Sequence, residues 1–310
     1  MARQDFGHVC GERMTPLFCN LCGRRVEARA VCYRRSGPAS PGLVVCARCD
    51  QEAARCRVCQ IPLAPGDNAD GLCPACAAVV PRCAICGQPA LGRYYRNEIT
   101  GAVACTACFS REPRCHVCGA PAGAGSARLH DGRVICAGCH ATAVFDAVAA
   151  DALYTQTTAI LEKQLGLGLS LRPALVIVDR QQMEEILAQA QSERGDPAEM
   201  VFGLFVRRGR RRAIYVESGL PQILMIQVIA HEYAHAWQGE NCPLLRDPLV
   251  REGFAEWTAH RTLRALGAVK KAALMEQRAD LYGQGLQMML AVERKAGVAG
   301  VVELCRAANG

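Results

Sequence analysis

His231-Glu232-Tyr233-Ala234-His235 is the segment that decides how the C-terminal half of this 310-residue chain folds. If the segment is helical, His231 and His235 lie one turn apart on one face, so their imidazoles can bind the same metal ion. Glu252 follows His235 by seventeen residues and is placed to return on a second helix as a third ligand. Three protein ligands leave a fourth position open for water, as in catalytic zinc sites. The segment therefore predicts a zinc site in which Glu232 is the general base.

Glu256 is the alternative third ligand, because it follows Glu252 by one helical turn. The Glu252-Gly253 pair and its distance from the histidines favour Glu252. Glu256 is then expected to be a surface carboxylate or a support for one of the ligands. A histidine as third ligand is not indicated, since no H-x-x-G-x-x-H sequence follows the motif.

The residues on either side of the motif predict a small sheet followed by helices. Short apolar runs predict three strands, and longer periodic runs predict two helices. The strands are 174–179, 201–206 and 213–217, and the helices are 142–165 and 181–193. Pro221 suits the first turn of the motif helix, and Gly239 is predicted to end it. This order of elements is typical of zincin peptidases, in which strands precede the active-site helix and further helices follow it.

Residues 1–141 contain 18 of the 20 cysteines, and sixteen of these form eight C-x-x-C pairs. Two thiolates from one tight turn take adjacent corners of a tetrahedron, and a second pair completes a four-cysteine zinc site. Consecutive pairing gives four modules joined by six-residue segments, whereas a cross-braced arrangement is the alternative. The array predicts about four structural zinc ions, rather than disulfides. The pairs are Cys19/Cys22, Cys46/Cys49, Cys56/Cys59, Cys73/Cys76, Cys83/Cys86, Cys105/Cys108, Cys115/Cys118 and Cys136/Cys139.

A few further residues could take part in metal binding. Cys10 and Cys32 are either alternative ligands of the first module or spare thiols. His140 could replace Cys139 as a ligand. The C-A-G-C-H sequence at this point matches a haem-attachment pattern, but its place inside a repeat of identical pairs favours zinc. Cys242 and Cys305, outside the array, are expected to be ordinary cysteines.

The net charge of +7 is weak support for nucleic-acid binding. All of the excess lies in residues 1–141, which contain 17 Lys and Arg against 10 Asp and Glu. Each four-cysteine zinc site carries a net charge of about −2, so four sites bring this half close to neutral. The five arginines of Arg207–Arg212 could bind an acidic partner or form a solvated hairpin tip. No apolar run reaches the length of a membrane span, and no secretory leader is evident, so a cytoplasmic location is expected.

Several motifs in the second half together resemble the ubiquitin-activated zinc peptidases that limit organ size in plants. The resemblance covers roughly residues 145–306. Those proteins carry LIM and LIM-like zinc modules ahead of a peptidase domain, and the Ala/Arg/Gly-rich composition of this chain suggests a bacterial relative. The matching motifs are Leu220-Pro221, Ala230-His231-Glu232 to His235-Ala236-Trp237, Arg251-Glu252-Gly253, Ala259-His260 and Tyr282-Gly283-x-Gly285.

The resemblance implies that His231, His235 and Glu252 bind zinc and that Glu232 is the base. Tyr282 and His260 match family positions, so they are candidates for stabilising the oxyanion or supporting the ligands, and a structural role is the alternative. A protein substrate and a ubiquitin or ubiquitin-like partner are also implied, although no acidic ubiquitin-interacting helix precedes the array. The joints differ from those of a LIM domain, which has two residues between its modules and a histidine among its ligands.

The sequence therefore predicts an α+β protein with tandem LIM-like four-cysteine modules over 1–141 and a zincin-like peptidase domain over 142–310. The expected activity is that of an endopeptidase that uses one catalytic zinc ion, with the modules recruiting substrate or controlling access. The alternative is an adaptor whose peptidase fold is inactive. Nucleic-acid binding is favoured less than either of these, because the C-x-x-C turns (zinc knuckles) lack interleaved aromatic residues for base stacking.

Overall fold

The computed structural model describes residues 4–5, 17–26, 30–33, 42–64, 66, 70–97, 101–192 and 201–308. The chain forms two compact units, Met1–Glu112 and Pro113–Gly310. Helix and sheet are mixed in the way expected of an α+β protein. Cys10 lies outside the described residues, and of Cys32 only the backbone is described.

The first unit consists of short elements built around the cysteine pairs. Strands β1, β2 and β3 form an antiparallel sheet, and β4 pairs with β5. Its apolar clusters are small, and cysteines make up much of each one. Such clusters bury little surface, so metal binding has to supply much of the folding free energy. The elements are β1 (Gln4–Asp5), β2 (Ala30–Tyr33), β3 (Leu43–Cys46), α1 (Ala47–Glu52), α2 (Pro74–Val79), β4 (Tyr94–Arg96), β5 (Val103–Cys105) and α3 (Thr106–Arg111).

In the residues that the structure describes, the second unit combines the fourth pair of C-x-x-C motifs, a three-stranded sheet, short two-stranded pairs and six helices longer than α4. In its three-stranded sheet β11 is central, antiparallel to β10 and parallel to β9. Among the strands that the structure describes, none pairs with the other side of β10, which is an edge of this sheet. The elements are β6 (Ala127–Arg128), β7 (Val134–Ile135), α4 (Ala137–His140), β8 (Ala143–Val144), α5 (Ala147–Leu165), β9 (Ala174–Val178), α6 (Arg180–Ser192), β10 (Gly203–Arg208), β11 (Arg211–Glu217), β12 (Leu220–Pro221), α7 (Gln222–Asn241), α8 (Pro248–Ala265), α9 (Val269–Glu276) and α10 (Leu281–Ala307).

The boundary between the units differs from the change in composition after residue 141. The fourth cysteine module belongs to the second unit, because its side chains pack and bond there. Val117 packs against the apolar core of that unit. Strand β8, which follows the module, pairs with β12 just before α7. The module is thus part of the same compact body as the H-E-x-x-H helix.

Helix α7 lies in the core of the second unit. Its aromatic residues Tyr233 and Trp237 are fully buried, and Trp237 stacks on Phe254 of α8 with ring centroids 5.2 Å apart. The prediction that Gly239 ends this helix is wrong, because the helix continues to Asn241. The chain leaves the helical conformation only at Cys242, where φ is −136°. None of the helices in the described parts of the chain has the length and apolar character of a membrane span.

Candidate metal centres

The sixteen paired cysteines form four groups, and in each group the sulfur atoms lie within 4.8 Å of one another. The grouping confirms consecutive pairing over the cross-braced alternative. His140 is in none of the groups, and its ring packs near that of Phe145. The groups are Cys19/Cys22/Cys46/Cys49, Cys56/Cys59/Cys73/Cys76, Cys83/Cys86/Cys105/Cys108 and Cys115/Cys118/Cys136/Cys139.

The sulfur separations fit a tetrahedral zinc ion. In each group the second cysteine of one pair and the first of the next have sulfurs 3.9, 3.6, 3.9 and 3.8 Å apart, in chain order. A zinc–sulfur distance of about 2.3 Å gives a tetrahedron with edges of about 3.8 Å. A disulfide requires a separation of about 2.05 Å. Each group can therefore bind a zinc ion through four thiolates.

The repeat in the sequence reflects one backbone shape at each knuckle. The residue after the second cysteine has a left-handed φ between 61° and 73° in all four modules, and its N–H donates to the carbonyl of the first cysteine. Glycine occupies three of these positions, while Gln60 occupies the fourth. Arg55, Arg82 and Arg114, each just before the first cysteine of a module, form a β-bridge to the proline seven residues later. The guanidinium groups of Arg55 and Arg82 also donate to the carbonyl of the residue five positions later, at 3.0 and 3.1 Å.

The fifth group joins His231 and His235 of α7 with Glu252 of α8. The two Nε2 atoms lie 3.1 Å apart, and Oε2 of Glu252 lies 3.3 Å from Nε2 of His231 and 3.4 Å from that of His235. Zinc–ligand distances of about 2.0 to 2.1 Å give a tetrahedron with edges of about 3.3 Å. The donor set of two imidazoles and one carboxylate fits zinc in chemistry as well as in spacing.

The histidines and carboxylates of this group have complementary charges. Burial raises the pKa of Glu252, but His231 and His235 bring that pKa well below its usual range. Burial lowers the pKa of His231, but the carboxylates of Glu252 and Glu256 raise it to about 10. A cation is therefore favoured between these groups, and a metal ion that binds there must displace a proton.

Glu256 contacts the opposite side of His231 from the converging ligand atoms. Its Oε1 lies 3.5 Å from Nδ1 of His231 and 3.4 Å from Nη1 of Arg278. Since Nε2 of His231 faces Glu252, a carboxylate at Nδ1 supports the imidazole rather than completing the triad. The three side chains whose donor atoms converge are therefore those of His231, His235 and Glu252, and Glu256 is not among them.

Glu232 lies on α7 and its carboxylate reaches strand β10. Its Oε2 accepts a hydrogen bond of 2.8 Å from the backbone N–H of Phe205. The approach is close because residue 203 is glycine: a Cβ there would lie 2.3 Å from Cγ1 of Val228 and 3.2 Å from Cγ of Glu232. The contact between the carboxylate and β10 was not predicted from the sequence, although a glycine opening a strand is a recognised sign of close backbone approach.

Tyr282 and His260, whose candidate roles come only from the family resemblance, have different surroundings. The ring of Tyr282 lies 6.1 Å from that of His231, and the guanidinium of Arg278 lies 4.9 Å above the Tyr282 ring. His260 is buried, and its Nε2 lies 2.8 Å from Oε1 of Glu276. Tyr282 is thus beside the triad, whereas the bond from His260 connects α8 to the end of α9.

A buried ionic network anchors the fourth cysteine module to the sheet of the second unit. Glu217, at the end of β11, is fully buried. Its carboxylate bonds to Nε2 of His116 at 2.8 Å, Nη1 of Arg133 at 3.1 Å and Nη1 of Arg180 at 2.9 Å. His116 is inside a C-x-x-C knuckle, and Arg133 lies just before β7. The network was missed because its members are up to 101 residues apart.

Several arginine side chains of the hairpin between β10 and β11 bond to other residues of the second unit. Arg212 pairs with Glu240, Arg207 donates to the carbonyl of Gly239 at 3.2 Å, and Arg208 donates to Gln189 at 3.2 Å. Three of the five arginines in Arg207–Arg212 therefore have partners in the protein itself.

No protein-family model, curated protein or solved structure matches the chain. The function therefore has to follow from the geometry and chemistry of the protein's own residues.

Proposed function

We propose that the protein is a zinc-dependent endopeptidase whose active site is formed by His231, His235 and Glu252 with Glu232 as general base. The observation that carries the proposal is the spacing of the three ligand atoms, 3.1 to 3.4 Å, which matches the edges of a zinc tetrahedron. Three protein donors leave a fourth position for water or substrate. The four-cysteine groups, by contrast, supply four donors each and are closed structural sites.

His231, His235 and Glu252 would hold the zinc ion, and its Lewis acidity would supply polarisation of a carbonyl and acidification of water near neutral pH. Glu232 accepts the proton of the attacking water and delivers it to the leaving amine. The N–H of Phe205 holds the carboxylate of Glu232 against β10 during this exchange. Tyr282, beside His231, is the candidate donor to the oxyanion.

Strand β10 supplies a surface for an extended substrate. It lies at the end of the sheet order β10-β11-β9, and it bonds to Glu232 through Phe205. A peptide that adds as a strand along such an edge is recognised mainly through its backbone. Internal peptide bonds of an unfolded segment therefore suit this site. The three zinc modules of the first unit then recruit the substrate or control its access, and the thiol ligands suit a reducing compartment such as the cytoplasm.

The test is digestion of a mixture of unfolded proteins and peptides, with cleavage sites identified by mass spectrometry. We expect internal cleavages with the wild type, and about a 10²- to 10⁴-fold loss of rate in Glu232→Gln, because proton transfer contributes rate factors of that order. Glu184→Gln is the control, since Glu184 pairs with Arg180 on the exposed side of α6. Equal cleavage by Glu232→Gln and wild type, or none by a zinc-loaded wild type, would contradict the proposal and favour an adaptor.

A further inference from the structure

We propose that Gln238 and Arg251 are positioning residues that join His235 and Glu252 to each other outside the metal site. Each residue contacts the side of one ligand that faces away from the metal, and the two bond to each other. The link connects α7 with α8 and sets the separation of their ligands before metal binds. This inference rests on the proposed function, because it concerns the same triad.

The first half of the link fixes the tautomer of His235. Nδ1 of His235 lies 2.9 Å from Oε1 of Gln238, and Nε2 of Gln238 donates to the carbonyl oxygen of Arg251 at 2.9 Å. Only the amide nitrogen can donate to a carbonyl, so the amide oxygen must face the imidazole. The imidazole must then carry its proton on Nδ1, which leaves the lone pair of Nε2 directed toward the triad.

The second half of the link orients Glu252. Oε1 of Glu252 accepts from Arg251 through Nη2 at 2.8 Å and through Nε at 3.0 Å. This arrangement occupies one carboxylate oxygen and leaves Oε2 facing both imidazoles. Arg251 therefore serves the site twice, through its guanidinium to Glu252 and through its carbonyl to Gln238.

Gln238 differs from an ordinary helical glutamine because its side chain is buried. Its side chain is 4% exposed, and a buried amide is costly unless its polar atoms are bonded. Its oxygen bonds to a ligand, and its nitrogen bonds to the backbone next to another ligand. Nε2 of Gln238 also lies 3.8 Å from Sγ of Cys305. Burial raises the pKa of that thiol to about 12, which makes it an unreactive neighbour.

Tyr233 provides a matched control on the same helix. It is also fully buried, and its hydroxyl donates to Oε1 of Glu162 at 3.2 Å. Tyr233→Phe therefore removes one hydrogen bond of a buried α7 side chain without touching a ligand. Gln238→Met removes both bonds of the amide at similar volume. Arg251→Met removes the contact to Glu252, and because this side chain is 45% exposed it tests the link even if Gln238→Met fails to fold.

The experiment is a chelator titration followed by native mass spectrometry on the full chain, with thermal unfolding of each variant measured in parallel. We expect five zinc ions per wild-type chain and loss of the fifth before the other four. The chelator concentration at which the fifth ion is lost should fall about 10- to 100-fold in Gln238→Met and in Arg251→Met, the usual effect of removing a partner of a ligand. It should be unchanged in Tyr233→Phe.

Retention of the fifth ion by both Met variants at the wild-type chelator concentration would overturn the link while leaving the peptidase proposal intact. The same loss in Tyr233→Phe, in proportion to its loss of thermal stability, would also overturn it, because a general effect on the fold would then explain the result. A wild type that binds only four zinc ions would overturn the proposed function and the link together.

Discussion

Gly253 of α8 and Gly285 of α10 approach so closely that neither position has room for a side chain. A Cβ at Gly253 would lie 2.7 Å from the backbone of Gly285, and a Cβ at Gly285 would lie 2.6 Å from Cα of Gly253. Gly253 directly follows Glu252, whose carboxylate is the proposed third metal ligand. The contact between the two glycines therefore fixes where α8 presents that carboxylate, which explains why glycine follows glutamate in this motif.

Gly253→Ala should force α8 and α10 apart and displace Glu252. We expect about 1 to 3 kcal/mol of destabilisation from overpacking, together with loss of the fifth zinc ion. Thermal unfolding and zinc content measure the two effects. Gly168→Ala is the control, because a Cβ at that position meets no atom within 4 Å. Full zinc content in Gly253→Ala would show that the helix contact does not position the ligand.

Removal of zinc by a chelator should unfold the first unit and leave the core of the second in place. The first unit depends on small clusters that contain its cysteines, whereas α5, α7, α8 and α10 share one large apolar core. Hydrogen exchange should therefore become fast in β3 and β5 but stay slow in α7 and α8. Continued protection of β3 and β5 after complete zinc loss would contradict this account.

Glu217 should make stability depend on pH. Burial raises the pKa of Glu217, but His116 and Arg180 bonded to it bring the pKa below its ordinary value. A carboxylate with a lowered pKa stabilises the fold above its unfolded pKa of about 4.3, and this contribution is lost as the pH falls through the folded value.

Glu217→Gln should accordingly destabilise the second unit by about 3 to 5 kcal/mol at pH 7, because the arginines lose a buried partner. The difference from wild type should shrink below about pH 4.3. Urea unfolding monitored by tryptophan fluorescence measures this difference in unfolding free energy. Both tryptophans, Trp237 and Trp257, lie in the apolar core of the second unit. Glu303→Gln, which changes an exposed carboxylate on α10 away from this network, should change stability by less than about 1 kcal/mol. A constant difference between about pH 7 and pH 3.5 would refute the assignment.

Gln60→Gly should stabilise the second zinc module. Gln60 has φ of 61°, in the left-handed region where the other three modules have glycine. A non-glycine residue costs about 1 kcal/mol there. The variant should therefore need a higher chelator concentration to lose zinc from this module, as read by hydrogen exchange at α2. Easier zinc loss would show that the Gln60 side chain stabilises the knuckle.

The local features of the fold could be read from the sequence because they repeat at fixed spacing. The C-x-x-C pairs grouped consecutively as predicted, and the two histidines share a face of α7 because four residues make about one helical turn. The strands lie close to their predicted positions. Glu252 could also be selected from the sequence, since it precedes a glycine and follows the histidines at a suitable distance, although Glu256 one turn later was an alternative.

The remaining features depend on contacts between distant segments. Gly239 is a typical helix terminator by residue type, yet it lies inside α7, which ends at Asn241. The fourth module joins the second unit through His116 and Arg133, whose partner Glu217 lies far along the chain. Gln238 follows His235 by three residues on the same helix, so its spacing could have indicated a partner for the imidazole.

The most direct test of the central claim is the number of zinc ions bound per chain, measured by native mass spectrometry for the wild type and for His235→Ala. The account predicts five in the wild type and four in the variant: four ions in the four-cysteine groups and one in the triad. Four in both proteins would mean that the histidine and glutamate triad does not hold zinc, and that the protein is not a zinc peptidase.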